Sequence, residues 1–507
     1  MNSLPPHILS FPRAAISSTG RAVIVTSYIT GAPNGKNLGC PGYSYDFVVR
    51  LFAPLIERWG ELVIVAREEV DHAVDEARRR GLEPIHLSFL PLHDVRLAAD
   101  APNIVVPAWE FPDIPDHAFD NKPENNWVEM AAHCDLLIVG GPFTVKAFRR
   151  AEVRTPIRIV PVPTADDYFH VPPWEPDQRT LLDFSAYSFS QPLPRPTIVE
   201  EQDSPPAPSR VIWRRRVTRV LERAGRVFYR RCIRRLASER FQFAMKTATY
   251  FGRCAWQDPN LFSPPPMPRT SASPLNLSGI VYSSIFNPRD HRKNWEDLLT
   301  GFLFALKDCE DATLVLKLIT DQPRAVDELW NFYHRTGIPH RCKVVFVPDF
   351  LSDEQLVELA GATTYYITTT RAEGNCLPLM NHLAAGRPAI SPRHTAIADY
   401  FSRDIGFTVE SHPEPAAFPQ DSQLRKTTTW HRLVWTSLVE QIQKSYTVAK
   451  QDPTTYQRLA RNARAEMLGW ASLQEVGPRL REALDLVGEA PSETPSLEEV
   501  HSRQMAA

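Results

Sequence analysis

The sequence predicts an α/β protein built from two doubly wound parallel sheets with an insertion between them. Over residues 21–170, compact apolar runs alternate with amphipathic segments of helical period, and the alternation returns over residues 276–450. Apolar strands that alternate with helices are typical of parallel sheets, because each crossover connection carries a helix. Residues 171–275 interrupt this pattern with clusters of proline, which favours an insertion or extended linker.

The first unit follows an N-terminal extension at residues 1–20. Its first predicted elements are a strand at 21–27, a helix at about 45–59, a strand at 61–66 and a charged helix at about 69–81. The loop after the first strand contains several glycines, among them Gly39 and Gly42. Small residues let a ligand approach backbone amides closely, but such a loop also fits a merely flexible connection.

A buried strand at residues 104–106 is followed by an aromatic residue, an acid and two prolines that hold the chain extended. The aromatic residue is Trp109, the acid is Glu110, and His117 lies a little further on. Such a pair at a strand end can serve a ligand cleft, but on the residues alone a structural role is favoured. The α/β pattern then repeats over residues 135–162.

The second unit opens with a strand, a turn and a helix. The turn is basic and contains Arg289, Arg292 and Lys293, the last of them just before the helix. Taken by themselves, these residues are most simply interpreted as a surface charge cluster. Lys317, near the end of the next strand, is a weaker candidate for a cation at a site.

The most informative stretch is residues 371–399, which is predicted to form a strand end, a tight turn, a helix and a second short strand. Pro378 suits the first turn of the helix and Gly386 suits the position just past its end. Glu373 and Gly374 are therefore placed at the carboxyl end of a strand, beside a helix N-terminus. Open parallel sheets bind ligands at this edge, and a helix N-terminus favours phosphate.

This stretch resembles the nucleotide-sugar site of the family 4 retaining glycosyltransferases, also called glycosyl transferases group 1. The matching residues are Arg371, Glu373, Gly374, Leu377, Pro378, Gly386, Pro388 and Ile390. Asn375 and Cys376 replace the Phe-Gly pair of the family, and Asn381 stands where its second glutamate is expected. The resemblance extends, less specifically, over residues 20–165 and 278–470.

The resemblance implies the GT-B arrangement, in which two Rossmann-like domains face a cleft. The acceptor would bind to the domain at residues 21–170 and the nucleotide-sugar donor to the domain at residues 276–450. The helices at residues 451–487 would cross back to the first domain. The tail at residues 488–507 is predicted to be disordered from its Glu, Pro and Ser content, independently of the resemblance. The implied reaction transfers a sugar from a nucleotide-diphosphate sugar to a hydroxyl of a glycan or glycolipid with retention, as in the synthesis of surface polysaccharides or glycoconjugates.

For the donor, the resemblance implies that Glu373 orients the sugar hydroxyls and that Asn381 contacts the ribose. An amide bonds a hydroxyl more weakly than a carboxylate does. Lys293 suits the diphosphate leaving group, with either Arg289 or Arg292 beside it, and the sequence does not choose between the two arginines. The remaining donor-site residues are Gly374, Asn375, Cys376 and Leu377.

A subset of the family carries a similar W-E-x-P-x-x-P segment at the mouth of the cleft. That resemblance places Glu110 near the reacting carbon or the acceptor hydroxyl and gives Trp109 a face for a sugar ring. His117, Gly39 and Gly42 complete the acceptor side. Catalysis is assigned to Glu373, Glu110 and Lys293. We expect no cofactor other than the donor substrate and no metal, because helix N-termini and basic side chains can stabilise a diphosphate.

Composition indicates an ordinary soluble protein. The hydrophobic share is 43%, the charged share is 23%, and a net charge of −2 gives no reason to expect a nucleic-acid partner. The seven cysteines are scattered, which argues against a disulfide framework or zinc site and fits a reducing compartment. The sequence shows neither a signal peptide nor an apolar run long enough to span a membrane. We therefore expect a cytoplasmic location.

Residues 210–240, inside the insertion, combine apolar residues at helical spacing with a face crowded by arginines. Such a helix can lie on an anionic membrane surface, where lipid-linked acceptors are found, or pack on the protein's own domains. Two wider alternatives also stay open. One is a non-catalytic nucleotide- or glycan-binding relative, motivated by Asn381 and the altered Phe-Gly pair, and the other is a peripheral membrane scaffold.

Overall fold

The computed structural model describes residues 20–28, 43–189, 274–418 and 426–488. Contacts divide the chain into two units. The larger unit comprises residues 1–191, 269–329 and 338–507 and contains both parallel sheets. The smaller unit comprises residues 192–268 and 330–337, and in its described part the rings of Trp330 and Tyr333 lie 5.7 Å apart.

The first sheet has six strands, all parallel. They are β1 (Arg21–Ser27), β2 (Glu61–Val65), β3 (Glu83–Phe89), β4 (Asn103–Val105), β5 (Leu136–Val139) and β6 (Ile157–Ile159), in the spatial order β2-β1-β3-β4-β5-β6. The helices of this half are α1 (Tyr43–Glu57), α2 (Val70–Arg79), α3 (Trp127–Ala132), α4 (Pro142–Arg150) and α5 (Asp166–Phe169). The central strands are buried, as their continuous apolar runs require.

The strands of the second half are β7 (Arg179–Leu182), β8 (Tyr187–Phe189), β9 (Leu275–Ser278), β10 (Ile280–Phe286), β11 (Ala312–Leu318), β12 (Lys343–Val347), β13 (Tyr365–Ile367), β14 (Ala389–Pro392), β15 (Gly406–Val409), β16 (Ser411–Ala417) and β17 (Thr427–Leu433). Seven of them form a sheet in the order β15-β14-β13-β10-β11-β12-β8, which is parallel except for β8 at its edge. Two antiparallel pairs, β7 with β9 and β16 with β17, complete the strands of this half.

The helices of the second half are α6 (Trp295–Leu306), α7 (Pro323–Thr336), α8 (Asp353–Ala362), α9 (Leu377–Ala384), α10 (Trp435–Gln451), α11 (Pro453–Ala471) and α12 (Leu473–Gly488). The last of them packs into the core of the first sheet, with its residues Leu480 and Leu484 buried beside Val23 and Phe52. Asp485 accepts hydrogen bonds from Arg21 and Trp59, so the C-terminal helix is tied to the first half by polar as well as apolar contacts.

Replacing Leu484 by Ala should destabilise the protein by about 2–5 kcal/mol, because the side chain is fully buried where α12 meets the first sheet. Urea denaturation followed by circular dichroism would measure this loss. Leu486 lies on the same helix but is 40% exposed, so Leu486→Ala serves as the matched control and should change stability by less than about 1 kcal/mol. Equal losses in the two variants would contradict this packing.

The predicted fold class is confirmed: the protein is α/β, with two Rossmann-like halves built on parallel sheets. The stretch predicted as an insertion, residues 171–275, includes two strands of the second half. Residues 179–182 form β7, which pairs with β9, and residues 187–189 form β8, which pairs with β12. The N-terminal extension, the loop of Gly39 and Gly42, the basic pattern at 210–240 and the tail after Gly488 lie outside the described residues. Within the described ranges, no helix combines the length and apolar character needed to cross a membrane.

Candidate functional site

A cavity of about 960 Å³, here called the cleft, is lined by residues that follow the carboxyl ends of strands in both sheets. The first sheet contributes segments after β1, β3 and β4, and the second contributes segments at or after the ends of β10, β11, β12 and β13. This is the edge at which parallel sheets bind ligands. On the first side the lining includes aromatic and aliphatic residues such as Tyr45 and Leu51, together with Arg50, and on the second side it includes the cations Arg292, Lys293 and Lys317.

A short turn, His291–Lys293, places two of these cations ahead of α6. The side chain of Asp290 caps the turn by accepting the backbone N–H of Arg292 at 3.1 Å. The turn is also held by the chain after β13, because Arg371 donates its backbone N–H to the Arg292 carbonyl at 2.7 Å and Thr369 donates its hydroxyl to the Asn294 carbonyl at 2.8 Å. These bonds fix the backbone from which Arg292 and Lys293 project.

Five charged side chains meet in the cleft, and we call them the charge cluster: Glu110, Asp290, Arg292, Lys293 and Glu373. The Arg292 guanidinium lies 2.9 Å from Asp290, 3.4 Å from Glu110 and 4.0 Å from Glu373. The Lys293 ammonium lies 2.5 Å from the Glu373 carboxylate. The cluster joins the two halves, since Glu110 follows β4 of the first sheet and the other four residues belong to the second.

Burial and charge compete within the cluster. Burial raises the pKa of Glu110, and the Arg292 guanidinium only partly opposes this effect. For Lys293, burial acts to lower the pKa, but the Glu373 carboxylate reverses the balance and the net shift is upward. Burial likewise disfavours the charge on Arg292, yet the three carboxylates raise its pKa. Both cations therefore stay charged, and Glu110 is the member whose ionisation the surroundings oppose.

The backbone of Glu373 is fixed by hydrogen bonds at both its N–H and its carbonyl group. Its backbone N–H donates to the Thr395 hydroxyl at 3.0 Å, and its carbonyl accepts the N–H of Ala396 at 3.2 Å. The next residue, Gly374, lies against the W-E segment, because a Cβ atom at this position would stand 2.9 Å from the Trp109 carbonyl oxygen. The backbone contact between these two segments therefore requires glycine.

Substituting Gly374 by Ala should separate the Glu373 motif from the W-E segment, because neither backbone can yield cheaply to a contact of 2.9 Å. We expect a loss of about 1–3 kcal/mol in unfolding free energy, as for other overpacked sites. Thermal and urea denaturation would measure it. The control is Gly469→Ala in α11, where a Cβ meets nothing within 4 Å and helix propensity predicts a gain of up to about 1 kcal/mol. An unchanged unfolding free energy in Gly374→Ala would show that the two backbones can move apart without cost and would contradict this prediction.

The helix α9 begins at the cleft. Cys376, the residue before the helix, adopts the left-handed conformation with φ 62°, and Pro378 occupies the first turn, so the backbone donors at this end are the amides of Cys376 and Leu377. Asn381, one turn into the helix, lines the cleft together with Tyr168. Gly386 has φ 68° just past the helix, as predicted.

His382, on the same helix, is a core residue. Its Nδ1 lies 2.7 Å from the Pro378 carbonyl, so this nitrogen carries the proton, and its Nε2 accepts from the Ser283 hydroxyl at 3.0 Å. Burial lowers its pKa to about 4. The imidazole is therefore neutral and serves packing.

The hairpin of β16 and β17 reaches from the second half to the W-E segment. The Phe418 ring lies 5.7 Å from the Trp109 ring, and the Thr428 hydroxyl donates to Asp113 at 3.3 Å. On its other side the hairpin contacts the Glu373 motif, because the Arg371 guanidinium stacks over Trp430 at 4.7 Å. The hairpin thus holds the two segments that carry Glu110 and Glu373 against each other.

The structure places most of the predicted catalytic and donor-site residues on the cleft. Those that line it are Glu110, Arg292, Lys293, Glu373, Gly374, Asn375, Cys376, Leu377 and Asn381. Of the two arginines left open by the sequence, Arg292 lies in the charge cluster, whereas Arg289 is exposed and is not among the lining residues.

Two acceptor-side expectations need correction. Trp109 lines the cleft, but the residue is only 2% exposed, because its ring packs against Trp127 at 4.6 Å and against Phe418 at 5.7 Å, so the ring faces are covered rather than offered to a sugar. His117 is bonded to Asp116 and is not among the residues that line the cleft.

Sequence reasoning missed two residues. Asp290 was overlooked, although an aspartate two residues before Arg292 is a recognisable capping signal. Tyr45 was overlooked too. Its hydroxyl accepts the backbone N–H of Ala108 at 3.0 Å, beside Glu110, and this contact between distant segments leaves no signal in the sequence.

Among the described residues, no group of three His, Cys, Asp or Glu side chains is arranged to hold a metal ion.

Lys317 is a buried cation on the cleft. Its ammonium donates to the Leu318 carbonyl at 2.7 Å, and burial lowers its pKa to about 8.

No protein-family model and no curated protein matches the sequence. Among solved structures, the chain is similar to Anabaena HepE in complex with UDP and glucose, with 10% identity, 92% of this chain and 100% of that chain covered, and a TM-score of 0.46. The chain is also similar to sucrose-phosphate synthase from Thermosynechococcus elongatus. The identity is 12%, the match covers 92% of this chain and 98% of the synthase chain, and the TM-score is 0.46. A third similar structure is a mutant of S. aureus TarM in complex with Fondaparinux, alpha-GlcNAc-glycerol and UDP. The identity is 8%, the match covers 79% of this chain and 55% of the TarM chain, and the TM-score is 0.42.

Proposed function

We propose that the protein is a retaining glycosyltransferase, which moves a hexose-like sugar from a nucleotide-diphosphate sugar to a hydroxyl of a glycan or glycolipid. The observation that carries this proposal is the convergence, in one cleft at the carboxyl ends of two parallel sheets, of a pair of cations, a helix N-terminus and a buried carboxylate. These groups match the two ends of a sugar diphosphate. Cations and amides suit its phosphates, and a carboxylate suits its hydroxyls.

The leaving group would be stabilised by Arg292, Lys293 and the amides that begin α9. Negative charge grows on the diphosphate as the glycosidic bond breaks, and donors that are already in place lower the barrier without having to reorganise. The turn His291–Lys293 meets this condition, because it is held by the backbone N–H of Arg371 and by the Thr369 hydroxyl, which donates to the Lys293 carbonyl at 3.2 Å.

Glu373 would orient the donor sugar. In the absence of a ligand its carboxylate is paired with Lys293 at 2.5 Å, so a donor diphosphate that recruits Lys293 would leave the carboxylate to accept bonds from the sugar hydroxyls. The acceptor hydroxyl would arrive on the same face of the sugar and lose its proton towards the departing phosphate. Retention of configuration follows from this geometry and needs no separate strong base.

The first-sheet side of the cleft would receive the acceptor, and Glu110, which approaches Arg292 from this side, would lie where the acceptor meets the donor. This side combines apolar residues such as Leu51 with the phenol of Tyr45, a mixture that suits the alternating apolar and hydroxyl surfaces of sugars. A glycan or glycolipid acceptor, as used in surface polysaccharide or glycoconjugate synthesis, is the class that fits.

A thermal-shift screen against UDP-, GDP-, ADP- and dTDP-glucose would test the donor assignment, since a ligand that binds the native state raises the melting temperature by mass action. We expect one nucleotide class to raise it. Arg292→Ala should remove the shift, and Arg289→Ala, at the exposed arginine of the same loop, should keep it. A shift that survives Arg292→Ala would place the nucleotide elsewhere.

Turnover separates the enzyme from a non-catalytic relative. The nucleotide sugar that binds is incubated with a pool of glycan and lipid-linked acceptors, and release of the nucleoside diphosphate is measured. Acceptor-dependent release that Glu373→Ala abolishes supports transfer. Binding without release would instead favour the non-catalytic alternative, for which Asn381 at the expected position of a carboxylate is the motivating residue.

A further inference from the structure

The charge cluster contains one more carboxylate than cation. Glu110, Asp290 and Glu373 all lie within 4.0 Å of the Arg292 guanidinium, and only Lys293 adds a second positive charge. The diphosphate of a nucleotide sugar brings two further negative charges. Like charges at such distances in a partly buried site repel strongly, so the cluster as it stands opposes the ligand that its cations would attract.

The three carboxylates are not held equally. Asp290 accepts from both the backbone and the side chain of Arg292, and Glu373 pairs closely with Lys293. Glu110 only approaches Arg292, at 3.4 Å, and within the described ranges no hydrogen bond reaches its carboxylate. Burial also raises the pKa of Glu110. It is therefore the carboxylate whose charge is least expensive to remove.

We propose that Glu110 takes up one proton from solvent when the donor diphosphate enters the cleft, and that the resulting carboxyl group donates a hydrogen bond to a phosphate oxygen. This inference rests on the proposed function, because it requires a diphosphate beside Arg292. Apart from the proton transferred from solvent to the carboxylate, no bond is made or broken. Protonation brings the cluster to neutrality and turns a repelling acceptor into a donor.

Tyr45, His93 and Lys317 are titratable groups that line the cleft with Glu110. Tyr45 has a raised pKa, for which burial is the main cause, and its hydroxyl stays neutral. His93 accepts the Trp127 indole N–H at 2.9 Å, and burial lowers its pKa, so it too is neutral. Lys317 is a competitor, since its pKa is lowered to about 8 and a diphosphate would recharge it in alkaline solution. Measurements well below that pH remove the contribution of Lys317.

The sign of the pH dependence follows from linkage. A ligand that binds together with a proton binds more weakly as the pH rises, by up to about tenfold per pH unit above the pKa of the unliganded carboxyl. A nucleotide sugar is a suitable probe, because both phosphates are esterified and its diphosphate does not titrate near neutrality. The glutamine variant Glu110→Gln imitates the protonated carboxyl and should bind with no pH slope.

The experiment is isothermal titration calorimetry of the full-length protein with the nucleotide glucose that gives the largest thermal shift. Titrations at one slightly acidic pH, in PIPES and in a buffer of higher ionisation enthalpy such as imidazole, give the number of protons taken up. We expect the native protein to take up close to one proton for each nucleotide glucose bound. Glu110→Gln should take up none, and its affinity for the nucleotide glucose should be kept or increased. Glu129→Gln, at an exposed glutamate on α3, is the matched control and should still take up the proton.

The outcomes separate the two proposals. If no nucleotide glucose binds at any pH, the proposed function fails. If one binds and Arg292→Ala abolishes binding, but no proton is taken up, the donor site stands and the inference about Glu110 is wrong. If uptake persists in Glu110→Gln and disappears in Asp290→Asn, the proton belongs to Asp290, and the assignment to Glu110 is overturned.

Discussion

Replacing Glu373 by Gln should cut sugar transfer and at the same time tighten the binding of the nucleoside diphosphate. The carboxylate now neutralises Lys293 at 2.5 Å, and its loss leaves that ammonium available to phosphate. The sugar hydroxyls, however, lose an ionised acceptor. Hydrogen bonds to charged groups contribute about 1.5–3 kcal/mol, so kcat/KM should fall about ten- to hundredfold.

The two effects have opposite signs, which makes the test specific. Nucleoside diphosphate affinity is measured by calorimetry, transfer by nucleotide release, and folding by thermal denaturation. A merely structural glutamate would lower affinity and transfer together as the fold weakens. Glu129→Gln, at an exposed glutamate that does not line the cleft, should alter none of the three quantities. Undiminished transfer in Glu373→Gln would remove this residue from the mechanism.

The local parts of the site could be predicted because each carries its own signal. Pro378 and Gly386 fix the start and end of α9, and Glu373 is placed by the strand that precedes it. The alternation of apolar strands and helices likewise predicted the fold class, since it reports burial on both faces of a parallel sheet. These features depend on neighbours within a few residues along the chain.

Contacts between distant segments could not be predicted in the same way. The hairpin of β16 and β17 packs Phe418 against Trp109, residues separated by most of the chain, and nothing in either segment reveals the other. This packing also covers the Trp109 ring, so the ring has no open face against which a sugar could stack. A tryptophan at a strand end looks accessible in sequence, but here three aromatic neighbours, Phe111, Trp127 and Phe418, cover its ring.

The choice between Arg289 and Arg292 illustrates the same limit at short range. Both lie in one polar turn, and composition cannot tell which of them faces the cleft. The decision is made by Asp290, whose side chain caps the turn and whose carboxylate directs the Arg292 guanidinium inward at 2.9 Å. Three-dimensional capping geometry, rather than residue type, therefore selects the ligand-facing arginine.

Replacing Lys293 by Met should abolish detectable binding of the nucleotide sugar and also destabilise the protein. The substitution keeps most of the side-chain volume but leaves the Glu373 carboxylate, which is 6% exposed, without its closest cation, and Arg292 lies 4.0 Å away. Breaking a buried ion pair by removing one partner costs about 3–5 kcal/mol. Lys293 is itself 21% exposed, so we expect the lower end, about 3 kcal/mol, by urea denaturation.

A double variant separates the loss of binding from the loss of stability. Lys293→Met combined with Glu373→Gln removes both charges, so no buried carboxylate is left unpaired and most of the lost stability should return. Binding should stay lost, because the diphosphate still lacks its ammonium partner. If the double variant regained both stability and nucleotide binding, Lys293 would serve only to neutralise Glu373, and the diphosphate would have to be held by Arg292 and the amides of α9 alone.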